Sequence, residues 1–189
     1  MEITVKTIGI KELESMLGKM AGKAPSVLAR VISRVASNVR KNLSKETIKK
    51  YSVKSSNVKA TVSYKKPTAS NLDSYVKTSG KTIPLYKFKI KPKNYTSTLG
   101  KKISKRPTVK AKVMKSSSFK TIGTAFIAKM KNGHIGVFKR DEENKIKELH
   151  TLSIPQMVAN KEVMDFIYKD AAVTYNKRIT HEINRILSE

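Results

Sequence analysis

Cysteine is absent from this 189-residue chain, which excludes disulfides and thiolate metal sites. Acidic residues are scarce. Fourteen Asp and Glu stand against forty Lys and Arg, a formal net charge of +26 at pH 7. No apolar run approaches the ~20 residues that span a bilayer, and the start, "MEITVKTIGIKELESMLGKM", lacks the apolar core of a secretory signal. These absences lead to the expectation of a soluble protein made in a reducing cytoplasm. No membrane partner is expected.

Catalytic patterns are missing as well. His134, His150 and His181 are scattered, and none sits in HExxH or another metal-ligand spacing. No Gly-rich phosphate loop precedes a helix, and no GxSxG elbow occurs. A divalent-metal nuclease needs several converging carboxylates. Asp73, Asp165 and Asp170 have no spacing that argues for convergence, and Asp141-Glu142-Glu143 falls in an expected turn. The expectation is therefore a protein that is not an enzyme, with no catalytic residue, cofactor or metal. His134, directly after Asn132-Gly133, is read as scaffold that caps a turn or bonds a backbone carbonyl.

What is present is positive charge, and it is regional. Residues 45–115 carry twenty basic and two acidic groups, against eight and three in 1–44 and twelve and nine in 116–189. Charge of this size opposes compaction by self-repulsion, so an anionic partner is expected.

Periodicity supplies the elements. Ile3 and Val5 alternate in a short first strand, and Leu13, Met16, Leu17 and Met20 follow at helical spacing. From Pro25 to about Lys50, Val27, Leu28, Val31, Ile32, Val35, Val39 and Leu43 form one apolar stripe, the mark of a long amphipathic helix. The period then falls from 3.6 to 2. "NVKATVSY", "YKFKIKPK" and "TVKAKVMK" read as strands, the last two with Tyr86, Phe88, Ile90, Val109, Ala111 and Val113 on one face. The opposite face carries Lys87, Lys89, Lys91, Lys110 and Lys112. Such a sheet is expected to cover the helix with its apolar side and turn its lysines outward.

Between these strands, about 92–107, lies a polar basic loop or arm tipped by Lys101, Lys102, Lys105 and Arg106. "TAFIAKM", Asn132-Gly133 and "HIGVFKR" predict two strands joined by a two-residue turn. "IKELHTL" suggests a further strand and "SIPQMVA" a short helix. A final helix starts near Lys161, with Val163, Phe166, Ile167, Val173, Ile179, Ile183 and Ile186 apolar. Together they predict a single α+β domain over 1–189. Its long N-terminal helix and C-terminal helix pack on a mostly antiparallel, twisted sheet with the basic insertion.

The stretches "TIPLYKF", "AFIAKMKNGHIGVFKR", "LSIPQMV" and "THEINRIL" occur in that order after the long basic helix. This order resembles the minor tail protein Z family of tailed bacteriophages, also called tail completion or neck proteins, over about residues 25–187. The most specific part is F-x-A-x-M-x-x-G-H-x-G-V-F-x-R, matched by Phe126, Ala128, Met130, Gly133, His134, Gly136, Val137, Phe138 and Arg140. Ile83, Pro84, Leu85 and Phe88 match an IPL-x-x-F element. The resemblance implies a virion structural protein that completes the upper end of the tail and makes it competent to join a filled head. It also implies a homo-oligomeric ring around the DNA channel, sixfold to match the tail. Its neighbours would be the tail terminator or tail tube protein and the head–tail connector proteins.

The lysine-rich middle is more basic than the resemblance leads one to expect. Its partner-contact residues are taken to be Lys87, Lys89, Lys91, Lys101, Lys102, Lys105, Arg106, Lys110 and Lys112, facing packaged DNA or an acidic tail-tube surface. On charge alone, a nonspecific nucleic-acid-binding protein outside the virion is the alternative. Tyr86 and Phe88 fall opposite the lysines, which argues for phosphate contact rather than base stacking. Changing Lys101, Lys102, Lys105 and Arg106 together to Gln is expected to reduce head–tail joining with the fold intact. Unchanged infectious yield would remove that role from the tip.

Overall fold

The structure is a computed structural model that describes residues 2–4, 9–93 and 107–188. Its class is α+β, as the periodicity predicts. A first strand, β1 (Glu2–Thr4), precedes helix α1 (Ile10–Leu17) and a 3-10 turn (Gly18–Lys23). Helix α2 (Ala24–Lys50) follows the apolar stripe closely. Val27, Leu28, Val31, Ile32, Val35, Val39 and Leu43 are all at most 1% exposed. The C-terminal helix α5 (Lys161–Leu187) opens on Asn160, whose side chain accepts the Glu162 N–H at 3.1 Å.

Between the long helices lie α3 (Ser55–Lys59), β2 (Val62–Lys65), β3 (Tyr75–Thr78), β4 (Thr82–Pro84) and a 3-10 turn (Leu85–Lys87). Then come β5 (Lys89–Lys91), β6 (Lys110–Lys112), β7 (Lys120–Thr121), β8 (Phe126–Lys129), β9 (Ile135–Arg140), β10 (Ile146–Glu148), β11 (His150–Ser153) and α4 (Ile154–Val158). Among the described residues the strands form four small antiparallel sheets, ordered β1-β3-β2, β10-β9-β8, β11-β4 and β5-β6-β7.

Some local readings need correction. "YKFKIKPK" is a strand only over Lys89–Lys91, because Tyr86 and Lys87 belong to a 3-10 turn. "NVKATVSY" does not run as one strand. Val58 is fully buried on the short helix α3, and pairing starts only at Val62. Four residues of alternation are compatible with one turn of helix followed by a strand, so the period alone was ambiguous here. The hairpin turn after β8 is not a two-residue turn either. Met130 N–H donates to the His134 carbonyl at 2.7 Å, and Gly133 N–H donates to the Met130 carbonyl at 2.9 Å. That is a three-residue loop in which Gly133 alone takes a positive φ, 82°.

The next hairpin repeats the design. Asp141 N–H donates to the Lys145 carbonyl, Asn144 N–H to the Asp141 carbonyl, and Asn144 sits at φ 58°. Asparagine is the non-glycine residue best suited to that region. Asp141 is tied in by Lys147 Nζ at 3.0 Å, and this hydrogen bond holds its carboxyl below the usual aspartate value.

The chain groups into two compact units. The first comprises Met1–Glu46, Thr61–Ser79 and Val158–Glu189, and the second Thr47–Ala60 and Gly80–Met157. In the first unit, Asn38 and Asn42 on α2 both donate to Asp170 Oδ2 on α5, at 2.6 and 2.8 Å. In the second, Leu85, Ile90, Val109, Ala111, Ala125, Ile127 and Val137 form one buried cluster. The apolar side of the lysine strands therefore packs within this cluster, on the β8–β9 hairpin.

A Cβ at Gly133 would meet nothing within 4 Å, so only the backbone resists substitution there. Gly133→Ala is expected to lower stability by about 1–2 kcal/mol, and Gly133→Asn by clearly less. Urea unfolding of both variants checks the difference.

Candidate functional site

Strands β5 and β6 pair so that Lys89 lies opposite Lys112, Ile90 opposite Ala111, and Lys91 opposite Lys110. Directly opposed side chains share a face. Four lysines thus occupy one side of two short strands, while Ile90 and Ala111 are buried on the other. Lys87 is exposed in the 3-10 turn just before β5. Lys101, Lys102, Lys105 and Arg106 lie outside the described residues.

Like charges directly opposite destabilise a strand pair, and in water two unit charges 4 Å apart repel by about 1 kcal/mol. Native strand pairs normally relieve this with an acid across the ladder. Among the described residues, no carboxylate bonds to Lys87, Lys89, Lys91, Lys110 or Lys112. The second unit as a whole carries twenty-three Lys and Arg against Asp141, Glu142, Glu143 and Glu148. Asp141 and Glu143 are engaged by Lys147 and Lys145, and Glu148 by His134. The face is an unneutralised cationic array.

One member of this face was not legible in the sequence. Lys91 Nζ lies 4.8 Å from the centroid of the Phe119 ring, a cation–π contact. Lys110 pairs with Thr121 and Ala111 with Lys120, so the register carries Phe119 toward the lysine side. β7 has only two residues, too few for any periodic signal. An aromatic ring does accompany the lysines, although Tyr86 and Phe88 do not.

The hairpin residues around His134 have structural partners. His134 Nε2 meets Glu148 Oε1 at 2.8 Å, so its side chain bonds a carboxylate, neither capping the turn nor bonding a backbone carbonyl as expected for it. Its N–H donates to Asn132 Oδ1 at 3.1 Å, and its ring stands edge-on to Phe138, 6.3 Å away. A Cβ at Gly136 would come within 2.6 Å of Glu148 Oε1 and 2.9 Å of the Phe138 ring. Glycine is what admits the carboxylate. Phe126 faces Phe138 across the β8–β9 pair, Val137 is fully buried, and Arg140 Nη1 donates to the Asn144 carbonyl at 2.9 Å. Leu85, on the 3-10 turn after β4, and Phe88, just past it, are buried.

A family model described as "Prophage minor tail protein Z (GPZ)" matches residues 7–188. The chain belongs to that family. It is a phage minor tail protein with a structural role in the tail, and hence a component of the virion. Comparison with curated proteins and with solved structures returns no match.

In this minor tail protein, then, the glycines, histidine, phenylalanines and arginine that carry the family resemblance sit in a hairpin they shape themselves. Among the described residues, no group of three His, Cys, Asp or Glu is arranged to hold a metal ion. Asp170 is committed to the two asparagine amides, and Asp73 and Asp165 are exposed. No helix among the described residues is long and apolar enough to cross a membrane.

The lysine face has a measurable signature. Replacing Lys89 and Lys110 with Gln removes one member of each facing pair. The thermal midpoint at low salt is expected not to fall. Binding to a fluorescent DNA duplex is expected to weaken, with a log–log salt slope shallower by about two. Anisotropy titrations across salt check this. Unchanged affinity with a lowered midpoint would make the lysines structural.

Proposed function

We propose that this minor tail protein completes the upper end of the tail at the head–tail junction. It forms a homo-oligomeric ring around the DNA channel, sixfold to match the tail. Its neighbours are the tail terminator or tail tube protein on one side and head–tail connector proteins on the other. It works as a structural part and not as an enzyme, and it needs no cofactor.

The observation that carries this reading beyond a generic tail role is the unneutralised lysine face on β5 and β6. Lysine offers a compact point charge on a flexible stem, with no fixed fork that selects one geometry. An array of such charges suits phosphates, whose contacts position a duplex without reading its bases. DNA that must pass through a neck requires contact of that sequence-independent kind. The face is therefore assigned to packaged DNA in the channel. Lys101, Lys102, Lys105 and Arg106 extend the same charge in sequence.

A small C-terminal tag with a gold label locates the protein on particles by electron microscopy. Label at the head–tail junction is the expected outcome. Label elsewhere along the tail would overturn the neck position. Intact particles without label, with tagged protein free in the cell, would point to an assembly factor or a free nucleic-acid-binding protein instead.

A further inference from the structure

The first unit carries a second cationic surface, on the seam between α2 and α5. The two helices run antiparallel in a regular register. Arg30 Nη1 donates to Glu182 Oε2 at 3.4 Å. Asn38 Nδ2 donates to Thr174 Oγ1 at 2.8 Å, and Asn42 Nδ2 to Asp170 Oδ2 at 2.8 Å. With each turn forward on α2, the partner moves one turn back on α5. The rung between Arg30 and Asn38 is Arg34 facing Arg178.

These two arginines are the shared walls of two adjoining clefts. One, of about 370 Å³, adds Lys41 and Lys177, with Ser37 and Val173 beside them. The other, of about 300 Å³, adds Arg30 and Glu182. The three rungs named above are matched by charge or by hydrogen bond, and this one joins two like charges. Among the described residues, Arg34, Lys41, Lys177 and Arg178 have no carboxylate bonded to them. Glu182, the acid on the wall, is engaged by Arg30 and by Arg185 Nε at 3.2 Å. Asp170 is held by the asparagine amides.

We infer that this cleft docks an acidic side chain of a neighbouring tail protein, a carboxylate held between the guanidinium groups of Arg34 and Arg178. Guanidinium is a rigid planar fork that matches a carboxylate through two parallel hydrogen bonds. An anion in the cleft turns this repulsive rung into an attractive one. One exposed apolar side chain on the cleft wall, Val173, favours a protein over a nucleic acid. Val173 is 66% exposed. A protein segment covers such a residue with its own apolar side chains and shields the ion pair from water. A phosphate backbone has nothing comparable to offer Val173. The surface also differs in kind from the lysine sheet, which is a ladder of point charges rather than a cleft with a fork. The inference requires only a tail protein as neighbour, so it stands apart from the neck position.

The test uses assembled tails. A photo-crosslinking residue, p-benzoylphenylalanine, replaces Val173 or, separately, Ser37, both exposed at the cleft. After irradiation, linked peptides are mapped by mass spectrometry. The expected product joins a tail protein whose linked peptide carries Asp or Glu within about one helical turn of the link. Arg34→Gln with Arg178→Gln is expected to cut the yield by about tenfold or more. Exchanging the charges, Arg34→Glu against an arginine at the mapped acid, restores it. A link to DNA, a linked peptide without an acid, or an undiminished yield in the double variant would overturn the inference. So would the absence of a link from both positions in tails that contain the protein. Gold label away from the junction together with an intact crosslink would remove the neck position and leave this docking site standing.

Discussion

The burial of Ile90 against Ala111 is the contact on which the cationic face depends. On the outward side of the same two strands, Lys89 faces Lys112 and Lys91 faces Lys110, an arrangement that drives the strands apart. The inward side reverses the balance, because Ile90 and Ala111 join Leu85, Val109, Ile127 and Val137 in one buried cluster. Apolar burial contributes about 25 cal/mol per Å² removed from water. Screened repulsion between exposed lysines is smaller and falls further with salt. The sheet can therefore hold four cations in register without an acid among them. The Phe119 ring under Lys91 adds a contact that shields one of the four.

The β8–β9 hairpin shows why its residues recur together as a pattern. Gly133 supplies the left-handed backbone of the turn, and Asn132 and Glu148 fix His134 on either side. Gly136 leaves the space that Glu148 fills. His150 Nδ1 lies 3.2 Å from the Glu148 carbonyl, which places a second imidazole beside the same residue. These interactions lie within one small sheet and the turns that close it. They give a histidine in a conspicuous place a set of structural partners.

Positive charge takes two forms in this tail protein. The second unit displays lysines on flat strands, free to meet an extended anion at many registers. The first unit sets arginines into a helical seam with three other rungs satisfied one by one. The acids of the two units are spent differently too. Asp170 and Glu182 help to join α2 to α5, while Asp141, Glu143 and Glu148 stabilise hairpins. With so few carboxylates and several of them committed to the fold, many cations are left for partners.

The sequence by itself determined the elements whose signal is local. The stripe from Val27 to Leu43 specified α2, because a 3.6-residue period puts those side chains on one face wherever the helix lies. Alternation over 89–91 and 110–112 specified strands with a lysine side, because side chains along a strand point to opposite faces, whereas Tyr86 and Lys87 fall in a 3-10 turn. Tertiary structure decided what each face meets. Nothing in the chain between Lys91 and Lys110 states that these two residues oppose one another, and the ring of Phe119 reaches them only through a two-residue strand. Arg34 and Arg178 face each other because α5 folds back on α2 in one register, set by Asn38, Asn42 and Asp170. Val58, read as part of a strand, is buried on a turn of helix instead. Periodicity reports which face a residue is on, whereas register depends on long-range packing, and both cationic surfaces are products of register.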